Sequence, residues 1–291
     1  MREVKDVREV GKGREVRAAT SLASLTSVTF LASLTLLLCV SLLDAHDTWL
    51  LPLSFRVPRG SRVTLELTSG QAFPRNETAI APERIDTAAF RLASRVGSLA
   101  PEPGTDALRL HARLDDAGLA TIWVSLKPRT LDLTPAEVDE YLPEIGAPDS
   151  VRAIYERSAP RRWREEYRKF AKTFVQVGTS PTQDPSWFRP VGQPLELVPS
   201  MDPTMMRVGA RLAVTLLQHG VPLAGLSVGA RAEGEQMGTL QTTDANGTVT
   251  FTLARPGRWM LHATQLRRSS QPGLDWESDF ATLTFAVGPR E

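Results

Sequence analysis

The chain has 291 residues, 42% hydrophobic and 23% charged, a globular composition that excludes disordered, collagen-like and disulfide-stapled classes. Its 34 Lys and Arg against 33 Asp and Glu leave a net charge of +1, so the basic excess that nucleic-acid binders use to neutralise phosphates is missing. Cys39, the one cysteine, excludes an internal disulfide, a Cys-based zinc site and an iron–sulfur cluster.

Residues 2–17 carry six basic and four acidic side chains, and Ala18 to Leu43 carry no charge at all. The densest apolar part, Val28 to Leu43, has the make-up of a signal-peptide h-region, with a small residue, Ala45, at the cleavage position. A signal peptide over 1–45 and a periplasmic protein are therefore expected. The alternative is an uncleaved anchor, since 26 uncharged residues can span a bilayer. Cleavage after Ala45 leaves 28 basic and 28 acidic side chains, four histidines and no cysteine. No nucleic acid and no disulfide-linked partner are then expected.

Short strands separated by turns come next: Trp49–Phe55, Arg62–Thr68, Ala88–Arg95, Ala107–Arg113 and Leu119–Lys127. In the second, Val63, Leu65 and Leu67 alternate with Arg62, Thr64 and Glu66, the period of a half-buried strand. Thr134-Pro-Ala-Glu137 is a capping box with proline at the first helical position, and Asp149 can cap a second helix. Trp163, Tyr167 and Phe170 form a stripe that predicts a third helix over Arg161–Lys172 with a charged outer face. A strand, Phe174–Gly178, ends this half. The expectation is a β-sandwich over 46–178 with a helical insertion at 134–172.

Residues 179–193 have the composition of a linker. A second β unit over 194–288 follows, with strands at Arg211–Gln218, Leu226–Ala232, Leu240–Thr243, Thr248–Leu253, Trp259–Leu266 and Ala281–Val287. Asp244-Ala-Asn-Gly247 reads as a tight turn rather than a calcium loop, because the twelve-residue EF-hand pattern and its bidentate Glu are missing. The whole is a mostly β chain of two β-sandwich, immunoglobulin-like modules, the first with a helical insertion.

No G-x-S-x-G, H-E-x-x-H, P-loop or dinucleotide fingerprint occurs, so no enzyme is expected. His46 carries the one specific chemical argument. Cleavage before it would make His46 the amino terminus, where amine and imidazole can chelate one transition-metal ion, with Asp47 adding an oxygen ligand or an outer contact. His219 lies at a turn; His111 and His262 fall in strands.

His46-Asp-Thr-Trp-Leu-Leu-Pro52, directly after the signal, resembles the start of an uncharacterised bacterial periplasmic family related to periplasmic components of nickel or cobalt uptake systems. Lys172–Gly178, Gly192–Pro199, Gly220–Gly225, Thr243–Phe251, Pro256–Trp259, Asp275–Ser278 and Thr282–Phe285 extend the likeness over most of 46–288. The resemblance implies a protein that binds or hands over a divalent transition metal (nickel, cobalt or copper) as accessory to uptake. Its partner would be a membrane transporter or another envelope protein. The implied ligands are His46, Asp47 and His262. His262 stands three residues before Gln265, where relatives carry a histidine, and so on the opposite face of its strand. The competing reading is a non-catalytic, immunoglobulin-like structural or interaction module of the envelope.

Overall fold

A computed structural model describes residues 46–179, 185–235 and 238–290. The signal-peptide expectation for 1–45 lies outside the described residues. Among these residues no helix is long and apolar enough to cross a membrane.

The strands of the first half are β1 (Thr48–Pro52), β2 (Arg56–Val57), β3 (Ser61–Ser69), β4 (Thr78–Ala79), β5 (Ile85–Leu92), β6 (Arg95–Ser98), β7 (Ala100–Glu102), β8 (Leu108–Leu114), β9 (Gly118–Leu126), β10 (Arg129–Leu133) and β11 (Trp163–Val177). Helices α1 (Pro135–Glu144) and α2 (Asp149–Arg157) lie between β10 and β11. The second half supplies β12 (Leu195–Pro199), β13 (Arg211–Gln218), β14 (Val221–Pro222), β15 (Ser227–Ala232), β16 (Thr239–Thr242), β17 (Thr248–Thr252), β18 (Gly257–Arg268) and β19 (Trp276–Val287).

They form three sheets. A five-stranded sheet runs β1-β3-β8-β7 with β4 on β3, and a four-stranded sheet is built around β13 from β12, β14 and β17. Between them lies a ten-stranded sheet in the order β16-β15-β18-β19-β11-β9-β5-β6, with β2 and β10 also paired to β11. One core, with Val63, Leu65, Leu110, Ile122 and Val175, fills the space between the first sheet and the middle sheet. A second, with Leu197, Val214, Val228, Leu261, Phe174 and Phe285, fills the space between the middle and third sheets. The mostly β class and the two sandwich cores are thus present. The two halves nevertheless share one sheet, because β11 of the first half pairs in parallel with β19 of the second from Glu165↔Trp276 to Thr173↔Thr284.

The expected insertion 134–172 is shorter in the structure. Its helices end at Arg157, and Arg161–Lys172 is no helix but lies mostly in β11, a strand of 15 residues. Trp163 and Tyr167 are four apart, a spacing that fits a helix turn and a strand face equally; Phe170 alone selected the helical period. In the strand Phe170 points to the opposite face, into the second core, while Trp163 and Tyr167 pack under α1 and α2. Trp163 stacks on Trp276 with ring centroids 4.7 Å apart.

The linker expectation for 179–193 is also revised where residues are described. Pro185–Phe188 form a 3-10 turn, and the loop after it is held at both its carbonyls and its amides. Arg91 donates to the carbonyls of Ser186, Arg189 and Pro190 at 3.1, 2.6 and 3.2 Å. Glu196 accepts from the backbone N–H groups of Val191, Gly192 and Gln193. Asp244–Gly247 is a turn, with Asp244 Oδ1 accepting from the Asn246 and Thr248 N–H groups at 2.8 and 2.9 Å. It carries the chain from β16 in the middle sheet to β17 in the third, so it does not close a hairpin. Gly247 has φ +69, and a Cβ there would stand 2.7 Å from the Leu223 nitrogen, so only glycine fits.

Candidate functional site

The site begins with the way β1 is laid down. β1 pairs with β3 at one edge of the first sheet and lies across β19, where the Thr282 and Thr284 hydroxyls donate to the Thr48 and Leu50 carbonyls at 2.6 and 2.5 Å. Those bonds fix the two residues just before it. The buried Lys169 ammonium donates to the His46 carbonyl at 2.6 Å, and the Asp47 carbonyl accepts from Gly70 N–H at 3.1 Å. His46 and Asp47 therefore stand over β18 as part of a fixed extended segment.

β18 is read on both faces. Leu261 and Ala263 point into the second core, and Met260 meets Trp49, Leu51 and Phe73 on the other side. His262 shares the Met260 face. Its Nδ1 lies 3.2 Å from Asp47 Oδ2. Directly across on β15 is Gly229, and beyond it Leu240 on β16. The imidazole of His262 lies over Gly229, where a Cβ would stand 1.9 Å from Nε2. A side chain at 229 would lift the ring off the sheet, so this glycine sets the floor of the site.

Above that floor is a cleft of about 440 Å³ lined by Asp47, Gln71, Pro143, Glu144, Arg231, Leu240 and His262. One wall is the end of α1. That helix starts at a complete capping box: Thr134 Oγ1 accepts from Glu137 N–H at 3.4 Å, and the Glu137 carboxylate accepts from Thr134 N–H at 2.7 Å. Its last residue, Glu144, places Oε1 3.2 Å from His46 Nδ1. The opposite wall is the Gly70-Gln71 turn, where Gln71 Nε2 comes within 3.4 Å of His46 Nδ1 and the Gln71 carbonyl accepts from Arg231 at 2.7 Å. Arg231 Nε is buried and without a partner among the described residues, and no ion pair forms on that guanidinium.

Of the three residues selected from the sequence, Asp47 and His262 line the cleft, and His46 is buried against its Glu144 and Gln71 walls. They meet as two acid–imidazole pairs, His46–Glu144 and His262–Asp47. Among the described residues no group of three or more His, Asp or Glu side chains is drawn together closely enough to hold a metal ion. His111 is elsewhere, between Thr64 Oγ1 at 3.0 Å and Glu102 Oε2 at 2.9 Å, and His219 is exposed in a turn at φ +48. Glu144, Gln71, Arg231 and Gly229 escaped the sequence reading because topology, not spacing, brings them in. An interior glycine in a β-strand was the one available signal, and it occurs at 229.

Beside the cleft, under α1, Glu165 is fully buried and accepts hydrogen bonds from Tyr141 OH at 2.9 Å, Trp163 Nε1 at 2.8 Å and the Ser278 hydroxyl. Burial pushes its carboxyl above the ordinary range, against the opposing pull of the three donors and of Lys169. Burial and the nearby Glu165 charge likewise push the Tyr141 phenol well up.

The family described as "Domain of unknown function (DUF4198)" matches residues 43–267, which hold the whole cleft. The chain belongs to the DUF4198 family. No curated protein matches it. Among solved structures, the D0-D1 domain of intimin is similar at 11% identity over 81% of this chain and 96% of its own, with a TM-score of 0.20. The adhesin InvE of Yersinia pseudotuberculosis is 12% identical over 83% of this chain and 59% of its own, with a TM-score of 0.21. At 13% identity, the four N-terminal immunoglobulin domains of Dscam1 share 81% of this chain and 42% of theirs, with a TM-score of 0.19. Likeness at these scores is too slight to inform the role of the cleft.

Proposed function

We propose that this DUF4198 chain is a non-catalytic interaction module of the cell envelope and that the Asp47–His262 cleft is its contact point. The observation that supports this is the lining. Carboxylates, a guanidinium with an unpartnered Nε, and apolar Leu240 and Pro143 surround one concavity in which no three metal-ligating groups converge among the described residues. Mixed charge beside apolar surface, held on rigid strands, suits recognition of a partner's polar segment. The test is a photo-crosslinking residue placed at Leu240, which is 51% exposed, with a second at Thr252 on the third sheet as control. A discrete envelope adduct is expected from position 240 alone, weakened by Arg231→Ala. Adducts equal at both positions, or none, overturn the reading.

A second reading has its own support. Asp47, Glu144 and His262 border the same concavity, buried His46 contacts Glu144 at 3.2 Å, and imidazole with carboxylate suits nickel, cobalt or copper. In this reading the ion displaces the two acid–imidazole contacts, and the protein hands it to a membrane transporter as accessory to nickel or cobalt uptake. Calorimetry with nickel and copper should then show binding that strengthens from about pH 6 to pH 8, as imidazole loses its proton. His46→Ala should abolish it, and His219→Ala should leave it intact. Equal heats from the wild type and His46→Ala dispose of the metal.

A further inference from the structure

A second concavity of about 610 Å³ opens on the other face of the middle sheet, where the third sheet does not cover it. Its floor comes from β5 and β9. On β9, Ile122 and Val124 point into the first core, so Trp123 and Ser125 point the opposite way. Ser125 stands directly across from Thr87. Asp86 and Glu166 border this floor, and among the described residues neither the Glu166 carboxylate nor the Trp123 indole N–H has a hydrogen-bond partner.

The wall is the loop 191–194, and its rigidity is the second observation. Glu196 and Lys172, both fully buried, pair at 2.6 Å, and the same carboxylate gathers three successive loop N–H groups. Gly192 allows that convergence with φ +88. Gln193 Nε2 pins the loop to β9 through the Val124 carbonyl at 2.9 Å. A buried ion pair is a costly way to stabilise a fold, and here its hydrogen bonds go into fixing one loop beside an open aromatic.

We infer that this groove binds an uncharged saccharide chain. A pyranose ring offers an apolar C–H face to the Trp123 indole and hydroxyls that donate to the Glu166 and Asp86 carboxylates. The same groove includes Arg168, whose guanidinium is held by Asp279 at 2.8 and 3.0 Å. That guanidinium sets N–H groups beside the two carboxylates, and saccharide hydroxyls can meet both donors and acceptors. A cationic peptide, the other ligand that Trp with carboxylates can attract, brings no acceptor on its charged side chains.

The test is calorimetry on the full chain with three probes: tetra-N-acetylchitotetraose, cellotetraose and tetralysine. Saturable binding of at least one tetrasaccharide is expected, weakened roughly tenfold by Trp123→Ala and to a lesser extent by Glu166→Gln. Arg231→Ala in the first cleft should leave it unchanged, which separates this site from the function proposed above. Should Trp123→Ala lose its β circular dichroism, Glu166→Gln, at a surface carboxylate, decides. The inference is overturned if neither tetrasaccharide binds, if both variants bind like the wild type, or if tetralysine alone binds.

Discussion

Glu165 is a carboxyl that the fold has removed from solvent while directing three donors at it. Its raised pKa means that the native state holds the proton more tightly than the unfolded chain does. The stability this contributes is complete below the ordinary carboxyl value and is lost as pH rises through the folded value. Urea unfolding across about pH 4 to pH 8 should show that decline in the wild type, and a flatter profile in Glu165→Gln, which has no proton to exchange. At neutral pH Glu165→Gln should still be the less stable by about 1–3 kcal/mol, because its amide N–H₂ faces donors that need an acceptor. Parallel profiles for the two proteins contradict this account. Gly229 works by absence: Gly229→Ala should push the His262 ring off Asp47, move the His262 ring resonances in NMR spectra, and cost about 1–3 kcal/mol through the clash. Unchanged His262 ring resonances would show that the ring does not depend on the glycine. His46 and Asp47 could be selected from the sequence by their place directly after the long uncharged run that ends at Leu43 and the Asp44-Ala45 that follows it. Arg231 could not, since what it does depends on a neighbour 160 residues away, and for Gly229 the one local signal was its place inside a strand.

At the scale of elements, legibility followed the strength of the local signal. The capping box named the start of α1 to the residue, because Thr134 and Glu137 satisfy each other's backbone without help from the rest of the fold. Alternation likewise placed β3, β8 and β9, each with one face in the first core. β11 was misread since both its faces are buried, so it lacks the clean alternation of a half-exposed strand. Its charged side chains did not form a solvated face either: Arg168 pairs with the buried Asp279, and Lys172 with Glu196. The cap also reaches the site, because α1 ends at Glu144. Thr134→Ala should cost about 1 kcal/mol in denaturant unfolding. It should also loosen the Glu144 wall, seen as a changed His46 environment by NMR. A stability loss with no change at His46 would separate the helix start from the cleft.

At the scale of the molecule, two sandwich cores were legible, and their fusion was not. Strand cadence reveals how many strands a segment contains, but nothing local tells β19 to lie parallel to a strand more than a hundred residues earlier. The pairing has consequences for cooperativity. Without the first half, β19 loses its parallel neighbour, and the second core loses Leu119, Phe170 and Phe174, which it borrows from β9 and β11. Without the second half, β11 has an open edge, and Trp163 and Tyr167 lose the Trp276 and Phe280 rings they pack against. β1 would also lose the two threonine hydroxyls that hold it over β19, and His46 and Asp47 would lose their support. Each half alone therefore presents a long unpaired strand edge and an incomplete core, conditions that favour aggregation over independent folding. The expected outcome is a single unfolding transition in which tryptophan fluorescence and far-ultraviolet circular dichroism coincide. A fragment covering 194–290 should fail to give dispersed amide signals by NMR. Two separated transitions, or a well-folded fragment, would restore two independent modules joined by a linker, and the cleft over β18 would then owe nothing to the sheet shared by the two halves.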